Sequence, residues 1–385
     1  MKKYDIVICG GGVAGLWLLN TLSDKGFSVL LVESVAIGGV QTMASQGMIH
    51  GGQRYLLHGK SFVHAKRIAS LPERWEACLL GHGDIDLHEV RVLAEHQVMW
   101  PAGGLLARAS LLGAAHRIKT KIRKLSRAEY PEVFTSGSAF AGPVYELPEK
   151  VLDMISLVSV LSKRYGDRMR KGEVRSLDRE GHIDISGTSV EAQLIISVAG
   201  LGNETVLDLL GVDKGHSQRR PLRQIMVRAL PYPLYGHGVV PSPSPRVTIT
   251  SYPDPSGGYV WYLGGAIAIS SVSLTEEETI EFAKKEMQTL FKDIDWSAKE
   301  WATWYGERAE ARDPNGRLPE GPVIQEYGKT LVAWPTKLTF APLLSDHVLT
   351  LIGERNIKPK YTGALPEFPT PPFAITPWER AAWTS

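Results

Sequence analysis

Gly10, Gly12 and Gly15 stand in GxGxxG spacing inside the stretch Tyr4 to Glu33, YDIVICGGGVAGLWLLNTLSDKGFSVLLVE. Glycines so spaced do binding chemistry. The first permits a tight turn, the second lets backbone N–H groups approach a pyrophosphate, and the third lets helix and strand pack closely. Glu33 follows at about the 20-residue spacing at which an acid accepts hydrogen bonds from an adenosine ribose, where an NADP site would prefer a cation. The chain also carries histidine, arginine and lysine side chains, types suited to acting on a substrate. A neutral imidazole takes up a proton, a guanidinium fork holds a carboxylate or phosphate through two hydrogen bonds, and an ammonium meets developing negative charge. No HxH or HExxH spacing occurs, so no metal site is expected.

These groups need elements to hold them. A lone GxGxxG is weak evidence, but here an apolar run (Ile6 to Cys9), the glycines, a helical run (Leu16 to Leu22), a second apolar run (Val29 to Val32) and an acid come in order. A further strand, Glu191 to Val198, ends in AlaGlyLeuGlyAsnGlu at 199 to 204 and a helix at 205 to 210. That places Gly200 at the carboxyl edge of a parallel sheet, where such sheets bind ligands. Helices are also predicted over 59–80, 151–165, 273–291 (opening SLTEEE) and 342–352. Alternation over 84–100 and through RQIMVRAL and GGYVWYLGGAIAI predicts an antiparallel sheet, and Leu331 to Trp334 another strand.

At 385 residues the chain exceeds the roughly 250–300 at which single cores stop growing, so two joined domains are expected. A net charge of +2 gives no reason to expect a nucleic acid partner, although the stretch 105–127 is basic and reads either as a solvated face or as a lure for an acidic substrate. The two cysteines, Cys9 and Cys78, suggest a reducing compartment. With no apolar run long enough to span a bilayer, and MKK leading straight into a strand, the expected location is cytoplasmic.

The clamp is similar to that of the flavin-dependent family containing D-amino-acid oxidase, and three motifs narrow the match. MetIleHisGlyGlyGlnArgTyr at 48–55 resembles the IHGGxRY segment of FAD-dependent glycerol-3-phosphate dehydrogenases and the related segment of L-2-hydroxyglutarate dehydrogenases. RPLRQIMVR at 220–228 resembles the strand that opens the family's substrate sheet, and LysLeuThr at 337–339 resembles the GGKLT turn. Two departures stand out: Pro335 and Thr336 replace that turn's glycines, and Gln224 takes the place of a substrate-binding histidine.

The resemblance implies an α/β fold: a discontinuous Rossmann-type FAD-binding domain (1–83, 149–219, 319–357), an antiparallel-sheet substrate domain (84–148, 220–318) and a proline-rich tail (358–385). It implies FAD as cofactor, held by Gly10, Gly12, Gly15, Glu33, Gly51, Gly52, Val174, Gly200, Lys337, Leu338 and Thr339. Lys337 would meet negative charge at the N1 and O2 edge of the ring, the alternative being an ordinary surface lysine. Arg54 and Arg308 match the contacts to a small anionic substrate. Arg312 competes with Arg308 for that role, and an ion pair with Glu307 or Glu310 is the plain alternative. His50 admits three roles: a non-covalent base, a covalent flavin anchor, or a structural histidine. His58 and His64 suit solvated helix positions.

The activity implied is removal of hydride from a CH–OH or CH–NH carbon, with electrons passing to oxygen, a quinone or another carrier. A flavin monooxygenase or halogenase shares the clamp, but those families carry a Gly-Asp turn where this chain reads TrpProThrLysLeuThr. A non-catalytic assembly subunit is the other alternative, since Trp378 and Trp383 in the tail would suit docking onto a partner or an electron acceptor.

Overall fold

The computed structural model describes residues 1–50, 70–104, 107, 122–137, 140–313, 315–317, 319–363 and 367–384. Two eight-stranded sheets dominate it. The first runs β17 (Val323–Tyr327), β18 (Thr330–Trp334), β11 (Thr188–Ser197), β1 (Lys2–Cys9), β2 (Val29–Glu33) and β8 (Met169–Lys171), with β10 (His182–Ile185) also pairing with β11 and β9 (Val174–Leu177) pairing with β10. Its centre, β18-β11-β1-β2-β8, is parallel, and Ile6 to Ile8 are wholly buried because helices cover both faces. The helix Val13–Asp24 is buried over almost its whole length. Two of its buried polar side chains are paired across the layer: Asn20 donates to Leu161 O at 2.7 Å, and Thr21 Oγ1 meets Ser345 Oγ at 2.9 Å on the helix Ala341–Glu354, while Trp17 Nε1 is buried without a hydrogen-bond partner among the described residues.

The second sheet runs β16 (Glu300–Ala311), β12 (Ser217–Leu230), β15 (Tyr259–Gly264), β14 (Val247–Pro253), β13 (Gly236–Val239), β4 (Gln97–Pro101), β6 (Tyr145–Leu147) and β5 (Arg123–Lys124). A small pair, β3 (Val92–Ala94) and β7 (Val151–Leu152), stands apart. The period of two divides the second sheet's residues between its faces. Ile225, Val227, Ile249 and Trp261 pack with the helix Glu276–Leu290, while Met226, Tyr252, Val260, Tyr262 and Ala302 form a separate cluster. The long β12·β16 ladder sets Gln224 opposite Trp304 and Arg220 opposite Arg308.

Several element boundaries differ from the sequence reading for local reasons. Val151 and Leu152 pair with β3 instead of opening a helix, and the helix Met154–Lys163 starts where the Asp153 carboxylate accepts from Ile155 N and Ser156 N. Thr275 caps the helix Glu276–Leu290 through a reciprocal box with Glu278, while Ser271–Ser273 form a separate turn. Residues 84–91 are turns, with the Asp86 carboxylate accepting from His88 N at 3.1 Å. Of the helix expected over 59–80, the described part is Leu71–Leu79.

The tail runs over both sheets. Lys360 N and Tyr361 N donate to the buried Asp5 carboxylate at 2.9 and 3.1 Å, Lys171 N to Pro369 O at 2.7 Å, and Ile37 N to Pro372 O at 2.8 Å. Beyond the short helix Pro377–Arg380, Thr384 exchanges two backbone hydrogen bonds with Trp301. Trp378 stacks on Tyr252 (centroids 4.0 Å apart) and Arg228 lies over the Trp383 ring at 4.8 Å. The two indoles expected to dock a partner thus spend these ring faces on their own chain. Among the described residues no helix is long and apolar enough to cross a membrane, and no cluster of metal-ligating side chains occurs.

Candidate active site

At the carboxyl edge of the first sheet, the glycines of the opening motif have distinct reasons to lack a side chain. Gly10 is in the left-handed region (φ 111°), and a Cβ there would lie 2.7 Å from Ala199 Cα. A Cβ on Gly15 would meet Gly10 O at 1.9 Å, so strand and helix close up only on glycine. At Gly12 a Cβ would meet Thr42 Oγ1 at 3.0 Å and no other described atom within 4 Å. That opening faces a helix start with no acid in its first turn, where Thr42 Oγ1 accepts from Val13 N at 3.1 Å. Glu33 Oε2 accepts from Gly11 N at 2.7 Å and Oε1 from Val35 N at 2.8 Å, which aims the carboxylate at the turn. An uncrowded turn, an unopposed helix dipole and an acid at the end of β2 suit a dinucleotide. Cys9, beneath the turn, is a buried thiol whose pKa burial pushes up to about 12.

The second turn packs directly on the first. Gly200 (φ 60°) opens the turn Gly200–Gly202, and Asn203 fastens it: Oδ1 accepts from Ser197 Oγ and Ala199 N, while Nδ2 donates to Ala333 O on β18. Val174 begins β9, two residues beyond Gly172, whose N–H donates to Glu33 O at 3.0 Å.

The turn after β18 lacks the glycines of the motif it resembles, yet it takes a left-handed step. Thr336 adopts φ 64°, the conformation a glycine would take, at a cost for a β-branched residue. Lys337 then precedes the turn Leu338–Phe340, which leads straight into the helix Ala341–Glu354, and its ammonium lies 5.6 Å from the Phe340 ring centroid. Thr339 is buried, with its Oγ1 accepting from His50 N at 3.2 Å. The motifs at 48–50 and 337–339, far apart in sequence, are therefore in contact.

The segment Ala44–His50 also meets the second sheet. Tyr262 Oη donates to Ala44 O at 3.0 Å and is hydrogen-bonded to Gln224 Oε1, while Gln46 Nε2 donates to the carbonyls of Thr248 and Tyr262. Gln224, the departure from the expected histidine, is thus held by a tyrosine whose own pKa burial raises well above normal. Along the same faces of β12 and β16 stand Gly306 and Arg308. Glu307 is bound to Arg219 (2.8 Å) and Glu310 to Arg220 (3.1 Å), so both acids that could pair with Arg308 are engaged elsewhere. Arg308 Nε is buried without a hydrogen-bond partner among the described residues. Burial lowers the guanidinium pKa, with Glu310 opposing and Arg220 adding to the shift. Arg312 instead lies at the strand's end, its Nη1 3.4 Å from Gly215 O.

His50 is half exposed, and its Nδ1 lies 3.3 Å from Oε2 of Glu149, whose side chain is only 8% exposed. The His237 ring packs beside it, centroids 5.7 Å apart. Gly51, Gly52, Arg54, His58 and His64 lie outside the described residues. Glu149, His237 and Gln46 carry no signal in the sequence. Each is a single polar residue in an unremarkable context, and only long-range pairing brings it to the site.

The family model for FAD dependent oxidoreductases, designated DAO, matches residues 5–349. The probable FAD-dependent oxidoreductase PA4991 of Pseudomonas aeruginosa is 39% identical over 383 residues, covering 98% of both chains, and its crystal structure superposes with a TM-score of 0.85. More distant structures share the fold. An L-alpha-glycerophosphate oxidase from Mycoplasma pneumoniae with FAD bound has a TM-score of 0.68 at 15% identity, covering 97% of this chain and 99% of its own. The glycine oxidase of Geobacillus kaustophilus has 0.66 at 16%, covering 96% and 99%. The chain is an FAD-dependent enzyme and belongs to the DAO family of FAD dependent oxidoreductases.

Proposed function

We propose that this oxidoreductase removes hydride from a carbon bearing a hydroxyl or amine in a small anionic substrate. The observation that carries the reading is Arg308: a partly buried arginine on the second sheet, on the same face as Gln224, whose Nε is buried without a hydrogen-bond partner among the described residues and whose neighbouring acids are bound to other arginines. A buried N–H left without an acceptor is costly, and a substrate carboxylate or phosphate would satisfy it. The two distant relatives support the class, since the substrates in their names, glycine and glycerophosphate, are an anionic amine and an anionic alcohol.

Gly10, Gly12, Gly15, Glu33, Val174 and Gly200 would hold the dinucleotide, and Lys337, Leu338 and Thr339, together with Gly51 and Gly52, its ring end. Bound FAD supplies the hydride acceptor, with oxygen, a quinone or another carrier as final acceptor. Lys337, beside a helix start, brings positive charge to the turn where negative charge would build up during reaction. His50 would take the hydroxyl or amine proton as the hydride leaves, and Arg54 would join Arg308 on the anion. Gln224, tied to Tyr262, offers an amide where the family's histidine would stand, which argues against glycerol 3-phosphate itself.

The test is anaerobic mixing of the yellow holoprotein with 2-hydroxy acids, amino acids, N-methyl amino acids and phosphorylated polyols. One anionic class should bleach the flavin. Bleaching by uncharged alcohols or amines alone would refute the reading.

A further inference from the structure

We propose that Glu149 is a positioning residue for His50: its carboxylate holds the proton on Nδ1, so that the ring presents Nε2 as the acceptor for the substrate proton. The inference rests on the reading of His50 as a base and adds the group that makes the imidazole competent.

The pair is fixed by backbone, not by two flexible side chains meeting in solvent. Residues 47–50 run antiparallel to residues 150–152: Ile49 N donates to Lys150 O at 3.0 Å, Leu152 N to Gly47 O at 2.9 Å, and Met48 bridges Val151. On the other side His50 N donates to Thr339 Oγ1, so the histidine backbone is anchored from both flanks. Glu149 N in turn donates to Leu147 O at 2.8 Å, which fixes the carboxylate in a short connection between β6 and β7. A largely buried acid facing one imidazole nitrogen at 3.3 Å differs from the exposed histidine–acid pairs of this chain. His88 with Asp86 and His182 with Asp178 have both partners about half exposed.

His237 completes the arrangement. Its Nδ1 lies 3.0 Å from Thr248 Oγ1 and its Nε2 2.9 Å from Gln97 Oε1, so both of its nitrogens are engaged within the second sheet. It therefore serves as a wall against His50 and not as a second base. The charged and titratable groups bearing on the His50 ring among the described residues are Glu149 and His237, with Lys337 on the turn that carries Thr339. Lys150, next to Glu149, is paired with Glu76 and Glu95. Which nitrogen of a neutral histidine carries the proton is set by the hydrogen bond made by the other, and a carboxylate on Nδ1 also favours the imidazolium formed when Nε2 accepts.

The experiment uses holoenzyme labelled with nitrogen-15 in histidine, with His50→Gln to identify the His50 signals. In the wild type, neutral His50 should carry its proton on Nδ1. Glu149→Gln should shift the ring towards the Nε2–H form, since the carboxylate that holds the proton on Nδ1 is gone. Glu149→Asp, which keeps the carboxylate, should restore most of the Nδ1–H form. With a substrate from the bleaching panel, Glu149→Gln should slow anaerobic flavin reduction at least tenfold at unchanged substrate affinity, within the range of proton-transfer catalysis.

An unchanged tautomer in Glu149→Gln, with FAD content intact, would overturn the proposal, and the base reading would survive if His50→Gln still abolished reduction. Full reduction rates in His50→Gln would instead overturn the base reading itself. Should Glu149→Gln fail to fold, the wild-type tautomer decides: a proton on Nε2 contradicts the proposal.

Discussion

Gly10, Gly12, Gly15 and Glu33 reach their places within one strand, one turn, one helix and the next strand, each step fixed by neighbours in sequence. The residues facing them across the site are assembled otherwise. His50 depends on Thr339 and Glu149, Gln224 on Tyr262, and the sheet that carries Arg308 is bound by a tail that also grips Asp5 and Ile37. A locally built clamp should fail all at once when one glycine is lost. A site assembled from distant segments should lose single functions while the rest stands.

The sharpest contrast comes from Gly15→Ala. Its Cβ would lie 1.9 Å from Gly10 O, so relief requires separating strand and helix, at more than about 3 kcal/mol. Loss of FAD in the purified protein, with a lowered denaturation midpoint, is expected. Stoichiometric FAD in this variant would break the comparison at its root.

Arg308→Leu should leave FAD content unchanged and weaken substrate binding by roughly 2–5 kcal/mol, the scale for removing one side of a desolvated charge pair. Anaerobic titration measures this directly. Lys337→Met should act differently, because the charge it meets appears only during reaction. Flavin reduction should slow by about a hundredfold and the flavin potential should fall, with little change in affinity. Equal losses of affinity in both variants would make Lys337 a second anion contact.

The tail gives a smaller and separable effect. Trp378→Ala removes the stack on Tyr252 and should cost about 1–2 kcal/mol of stability, with faster proteolysis beyond residue 366 and FAD still bound. Smallest is Thr336→Gly, which relieves a left-handed threonine and should raise stability by up to about 1 kcal/mol. A drop in thermal midpoint would show that the Thr336 side chain contributes more than its backbone costs.

The same contrast explains what was legible in the chain. The clamp, the turn at Gly200 and the faces of β12 could be read because spacing of glycines and a period of two are local signals. The left-handed Thr336 could not, since nothing local marks a threonine that keeps a glycine's conformation. Glu149 and His237 escaped for another reason: a single acid or histidine acquires meaning only when strands distant in sequence set it beside His50. The course of the tail could not be read either, because prolines and tryptophans describe an extended apolar segment without saying whose surface it covers. Its hydrogen bonds to Asp5, Ile37 and Trp301 answer that.

The central claim is that this flavoenzyme selects its substrate by charge through Arg308, whose buried Nε has no hydrogen-bond partner among the described residues. It is tested most directly by anaerobic flavin reduction with a bleaching substrate and its neutral methyl ester or amide, in wild type and Arg308→Leu. The account predicts strong preference for the anion in the wild type and collapse of that preference in the variant, with FAD content equal in both. Equal reduction by the anion and its neutral analogue in the wild type, or an undiminished preference in Arg308→Leu, would contradict it.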